Sequence, residues 1–163
     1  METLSNEDWS WHPPGKWCAA EVLEHLYLTY TATVKGLERV LAGGKPIVHA
    51  ATFGQKCRTL VVVGLGYVPG GLKSPRVAEP RGVPAEKVRA EISAKIEAMD
   101  EIIARCEQSF GGHAKLLDHP ILGPLTAAQW RKLHLVHSLH HVKQLWRLRQ
   151  RRERATRLEA DLP

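Results

Sequence analysis

The stretch Trp130 to Arg152, WRKLHLVHSLHHVKQLWRLRQRR, carries four of the chain's nine histidines within eight residues. His137 and His141 stand four apart, so on a helix, at about 100° per residue, both leave the same side from consecutive turns. Trp130, His134, Gln144 and Leu148 share that face, while Leu135, Leu139, Val142 and Trp146 form a second apolar stripe. Two such faces predict a helix that is mostly buried. Ring nitrogens held there must be hydrogen-bonded or coordinated, because an unpaired buried polar group costs about 1–3 kcal/mol. The four-residue spacing suits two ligands of one metal ion, and it equally suits two hydrogen-bonded core histidines. A catalytic zinc takes about three protein ligands and keeps one position open, so the metal reading needs a further ligand from another part of the chain.

At 163 residues the chain predicts one domain, 1–163, with an N-terminal arm over 1–16 and a C-terminal tail over 154–163. No run approaches the roughly 20 apolar residues of a membrane span, and the polar, acidic start METLSNEDWSWHPPG is unlike a signal peptide, so no membrane partner is expected. Cys18, Cys57 and Cys106 are scattered and odd in number, which argues against a disulfide framework or a thiolate zinc site and predicts a reducing, cytoplasmic setting. The formal charge of +6 is concentrated in Lys143, Arg147, Arg149, Arg151, Arg152, Arg154 and Arg157. Cations at a helix C-terminus complement the helix dipole, and no nucleic-acid motif accompanies them, so nucleic acid is not the expected partner.

Along the chain, Trp9, Trp11, Pro13, Pro14 and Gly15 predict an ordered, non-helical arm with large apolar surfaces. From Trp17, the residues Leu23, Leu26, Tyr27, Tyr30, Val34, Leu37 and Leu41 step by three or four, until Gly43 and Gly44 stop the helix. The other side of that helix carries Cys18, Val22, His25, Thr29, Ala32, Thr33 and Gly36, a mostly small and mildly polar face suited to lining a groove. His25 is the candidate third ligand. Residues 51–66 read as a buried helix, and YVPGGLKSPRVAEPRGVP, with four prolines, as a long extended connection serving either as a lid or as a fixed wrap. A further helix starts at Pro84 and runs to Gly111, with Val88, Ile92, Ile96, Met99, Ile103 and Cys106 as its buried stripe. His119 in the following link reads as structural, and Thr126 as the cap of the last helix. The expected fold is all-α, a four-helix up-down bundle with a long extended loop between the second and third helices.

Two segments, WHPPGKWCAAEVLEHL (11–26) and DHPILGPLTAAQWRKLHLVHSLHHVKQL (118–145), resemble the DinB-like family of metal-binding helical bundles, and the YVPGGLKSPRVAEP loop resembles the extended loop of one of its branches. The resemblance covers most of the chain. It implies a divalent metal ion, zinc or nickel, held by His25, His137 and His141, and a metal-dependent enzyme acting on a small molecule. A transferase of low-molecular-weight thiols or a hydrolase would fit. Gln144 and Glu21, each about one turn from a ligand, are candidates to orient the imidazoles. The family carries a further long helix before the proline-rich approach, where only about a dozen residues precede it here; the helix is then missing, supplied by a second subunit, or lost through a start site placed too late. A homodimer would cover the groove. The alternative is a non-enzymatic helical module that uses the basic last helix for nucleic acid or an acidic partner.

Overall fold

A computed structural model describes residues 6–70 and 73–160. Residues 1–5 of the arm, 71–72 of the long loop and 161–163 of the tail lie outside the described residues. The elements, in order, are α1 (Asn6–Ser10), α2 (Ala19–Ala42), α3 (Phe53–Thr59), a π turn (Leu60–Gly64), a 3-10 turn (Arg76–Ala78), α4 (Ala85–Phe110), β1 (Leu117–His119), β2 (Gly123–Leu125) and α5 (Ala127–Ala160). The chain is mostly helical, as its periodicity predicts, with one small two-stranded antiparallel sheet.

Three long helices supply most of the core. Leu26, Tyr30, Leu37 and Val40 of α2 meet Met99, Ile102, Ile103 and Cys106 of α4, and Ala127, Trp130 and Leu133 of α5 close the third side. Burial of such apolar surface contributes about 25 cal/mol per Å². Helix α2 ends where predicted: Gly43 N–H bonds Arg39 O, and Gly44 takes φ +62, a left-handed conformation that costs glycine little. At the start of α5, Thr126 Oγ1 accepts from Gln129 N–H while Gln129 Oε1 accepts from Thr126 N–H, a reciprocal cap.

Four details depart from the sequence expectations. The arm contains a short helix, α1, and its tryptophans lie against cations on two other helices, Arg89 over Trp9 and Arg152 over Trp11. The expected buried helix over 51–66 is instead the short α3 followed by the π turn, with only Val62 buried and Phe53 82% exposed. A run of three valines has no polar positions to reveal which side is wet, so its composition overstates its burial. Residues 154–160, expected as tail, continue α5. The outer stripe of α5, Leu135, Leu139, Val142 and Trp146, is 51–62% exposed, so that helix is buried on its histidine face and not all round. Ile96 of α4 is exposed as well, because the stripe assigned to it spans more than the face in contact.

The hairpin β1–β2 forms within the proline- and glycine-rich link that the periodicity left without structure. Leu117 pairs with Leu125 and His119 with Gly123, while Ile47 adds a short parallel bridge to Leu117. Three-residue strands are too short to show alternation against a turn-rich background. Gly36 of α2 permits the close approach of this hairpin, since a side chain there would run into Leu117. Among the described residues, no helix is long and apolar enough to cross a membrane.

Candidate metal centre

Helix α5 presents His137 and His141 from consecutive turns, and α2 brings His25 to them from across the core. His25 Nε2 lies 3.2 Å from His137 Nε2, and His141 Nε2 lies 3.0 Å from the same atom. Two nitrogens bound to one tetrahedral zinc at about 2.0–2.1 Å would stand about 3.3–3.4 Å apart, close to both separations. Among the described residues these three form a group whose ligand atoms all lie within 4.8 Å of one another and could hold a metal ion.

The outer nitrogens fix which ring atoms carry protons. His25 Nδ1 lies 2.7 Å from Ala78 O, an atom that can only accept, so Nδ1 carries the hydrogen and Nε2 keeps its lone pair. His141 Nδ1 stands 2.9 Å from Gln144 Oε1 and donates to it, which again leaves Nε2 as a lone pair. His137 can donate one Nε2–H to only one of the two. At least one pair of nitrogen lone pairs is therefore left face to face unless a cation or a proton stands between them.

A proton is resisted by the surroundings. Burial pushes His137 down to about 2, helped by the neighbouring His141 and His25, and burial with the nearby His25 lowers His141 to about 4. His25 is lowered by burial too, against the opposing hydrogen bond to Ala78. Three neutral imidazoles with converging lone pairs are the form in which histidine ligates a metal.

Of the two orienting candidates, Gln144 occupies its expected place on His141. Glu21 does not reach a histidine; its carboxylate accepts from Cys18 N–H at 2.8 Å and caps α2. An acidic residue in the first turn of a helix satisfies the free amides nearest to it, and here that draws Glu21 away from His25. The partner of His25 comes instead from the long connection, through Ala78 O, with Ser74 Oγ at 3.3 Å. A backbone carbonyl 53 positions away leaves no mark in the sequence. Trp17 flanks the site, its ring centroid 5.1 Å from that of His25.

His134 and His119 stand apart from the three ligands. His119 Nδ1 accepts the amides of Ile121 and Leu122, each at 3.2 Å, a structural role in the hairpin turn. His134 stacks on Trp130 with ring centroids 5.7 Å apart, and both of its nitrogens are buried without a hydrogen-bond partner. Cys18 is buried and its thiol is pushed up chiefly by that burial, which does not favour a reactive thiolate.

Fold and site together define a small, mostly helical protein with a three-histidine cluster that could hold a metal. The chain belongs to the family described as "Protein of unknown function (DUF1569)", whose model matches residues 1–147. This corrects the DinB-like resemblance: the match is to a distinct family, and paired histidines on one helix facing a third on another are a solution open to more than one helical family. No curated protein and no solved structure matches the chain.

Proposed function

We propose that the protein binds a divalent metal ion through His25, His137 and His141 and uses its open position to act on a small molecule. One observation carries the proposal: three Nε2 atoms converge while the Nδ1 atoms of His25 and His141 are committed to protein acceptors. Zinc and nickel both suit a site of neutral imidazoles. A metal held by three such ligands lowers the pKa of a bound water or thiol toward neutrality, so metal-assisted hydrolysis or transfer of a small thiol is the chemistry such a centre would support.

The bundle reading belongs with this proposal. The three long helices, with α3 as a short fourth, make a scaffold in which two helices face each other across the metal, an arrangement used for sites in helical bundles.

The alternative, a working surface on the basic end of α5, is less well supported because several of those cations are already engaged. Arg149 pairs with Glu153 at 2.9 Å, and Arg152 lies 3.8 Å from Asp8 and over the Trp11 ring. The test is metal analysis and turnover on protein purified without a histidine tag. His141→Ala should lose bound metal and activity, while Arg151→Ala with Arg152→Ala should keep both. The opposite pattern, with binding to nucleic acid that weakens steeply in salt, would replace the metal reading with the basic-surface one.

A further inference from the structure

The connection between the π turn and α4 is fastened to α2 at two adjacent residues. On one side His25 Nδ1 meets Ala78 O and Ser74 Oγ. On the other, the Glu24 carboxylate accepts from Arg81 N–H at 2.7 Å through Oε1 and from Gly82 N–H at 3.1 Å through Oε2. Glu24 is only 2% exposed, so its charge is withdrawn from water and compensated by these two oriented amides. Buried carboxylates are rare unless so paired, and hydrogen bonds to a charged acceptor are stronger than neutral ones.

Between the two fastenings the chain has little freedom. Ala78 N–H bonds Pro75 O at 2.8 Å and closes the 3-10 turn, Arg81 Nη2 returns to Arg76 O at 3.2 Å, and Pro75 and Pro80 fix their own φ angles. Gly82 takes φ +82, a conformation that side chains other than glycine resist. Residues 74–82 are thus a strap of defined shape, and the place where its Ala78 carbonyl sits is set by where Glu24 holds its far end.

We propose that Glu24 is a positioning residue for the metal centre: its buried carboxylate anchors the strap, and the anchored strap holds the Ala78 carbonyl on His25 so that Nε2 is the free nitrogen. The consequence for metal affinity rests on the metal reading above; the effect on the His25 ring does not. Without the anchor, Ala78 O is released, His25 samples both tautomers and ring orientations, and the fraction ready to ligate falls. Loss of such an orienting partner lowers metal affinity by about 10–100-fold.

The experiment combines two readouts on the same proteins. Nitrogen-15 NMR of the imidazoles reports the His25 tautomer in metal-free protein at neutral pH, and competition with a chromophoric chelator reports affinity for zinc alone. Wild type should show His25 protonated at Nδ1. Glu24→Ala should show mixed tautomers and zinc affinity about 10–100-fold weaker, Glu24→Gln, with a single carbonyl acceptor, an intermediate result, and Glu38→Ala, exposed on the same helix, no change. Gly82→Ala strains the strap from its own side and leaves α2 intact; it should move both readouts in the same direction, and carries the test should Glu24→Ala fail to fold. A folded Glu24→Ala whose His25 stays protonated at Nδ1, with unchanged zinc affinity, overturns the proposal. A tautomer shift in Glu24→Ala together with a wild type that takes no metal upholds the positioning role and removes the metal reading instead.

Discussion

His25 Nε2 stands 3.2 Å from His137 Nε2 although 112 positions of sequence separate them, so a shared ion would tie α2 to α5 directly. A ligand that binds only the folded state stabilises it by about 2.7 kcal/mol at a free concentration 100 times its dissociation constant. For a chain of this size that corresponds to a rise in melting temperature of about 5–10 °C. Zinc should therefore raise the melting temperature of the apoprotein, and His137→Ala should abolish the rise. A calorimetric scan with and without zinc decides it; equal shifts in both proteins would place any bound zinc elsewhere.

Gln144 and Glu21 separate orientation from capping. Gln144→Ala removes the acceptor at His141 Nδ1 and should weaken zinc binding by about 10-fold or more with little loss of stability. Glu21→Ala removes the capping carboxylate at Cys18 N–H and should cost about 1 kcal/mol of stability with zinc affinity unchanged. Chelator competition and urea midpoints on the two variants make the comparison.

Acid should destabilise the apoprotein through its buried histidines. His119 is lowered from 6.5 to about 4 and His134 to about 3, both first by burial and His134 also by the nearby His119. Between about pH 6.5 and those values the unfolded chain holds the extra protons, so stability is complete above 6.5 and declines as the pH falls through the window. In His134→Leu that decline should be shallower by one group's share. At pH 7 the same variant should be nearly neutral, because neither His134 nitrogen has a partner to lose. Urea midpoints at pH 7 and 4.5, measured in chelator, give both numbers; a variant as acid-sensitive as wild type would show that His134 is not neutral in the fold.

Ile103 and Leu139 test which side of the long helices is covered. Ile103 is fully buried, and Ile103→Ala should cost about 2–5 kcal/mol. Leu139 is 51% exposed, and Leu139→Ala should stay within about 0.5 kcal/mol. A cost for Leu139→Ala comparable to that of Ile103→Ala would mean that the outer face of α5 is covered in solution.

The sequence made the ligand face of α5 readable because helical periodicity acts over a few residues: Trp130, His134, His141 and Leu148 are all buried as their spacing implies. His25 could be nominated from its place on a small-residue face of α2. Glu24 was overlooked in favour of Glu21, although a signal existed, a carboxylate between Leu23 and His25 on the inward side of an amphipathic helix. Its partners are backbone amides of a distant loop, and any residue supplies an amide, so composition could not name them. The hairpin and the exposed stripe of α5 were illegible for a related reason: each depends on which surfaces meet, and hydrophobicity records only which surfaces could.

The π turn at Leu60–Gly64 has a consequence for chain length. Leu65 N–H bonds Leu60 O at 2.9 Å, five residues back in place of four, so this turn holds one residue more than an α-turn needs. A helix absorbs a single inserted residue in this way without forming a loop, keeping Val62 in the core while everything after it is turned by about 100°. The direction in which the chain leaves α3 toward the strap is thus set by one surplus residue, and family members one residue shorter here are expected to continue the α-ladder past Leu60 and to start their connecting segment from a different side of the helix.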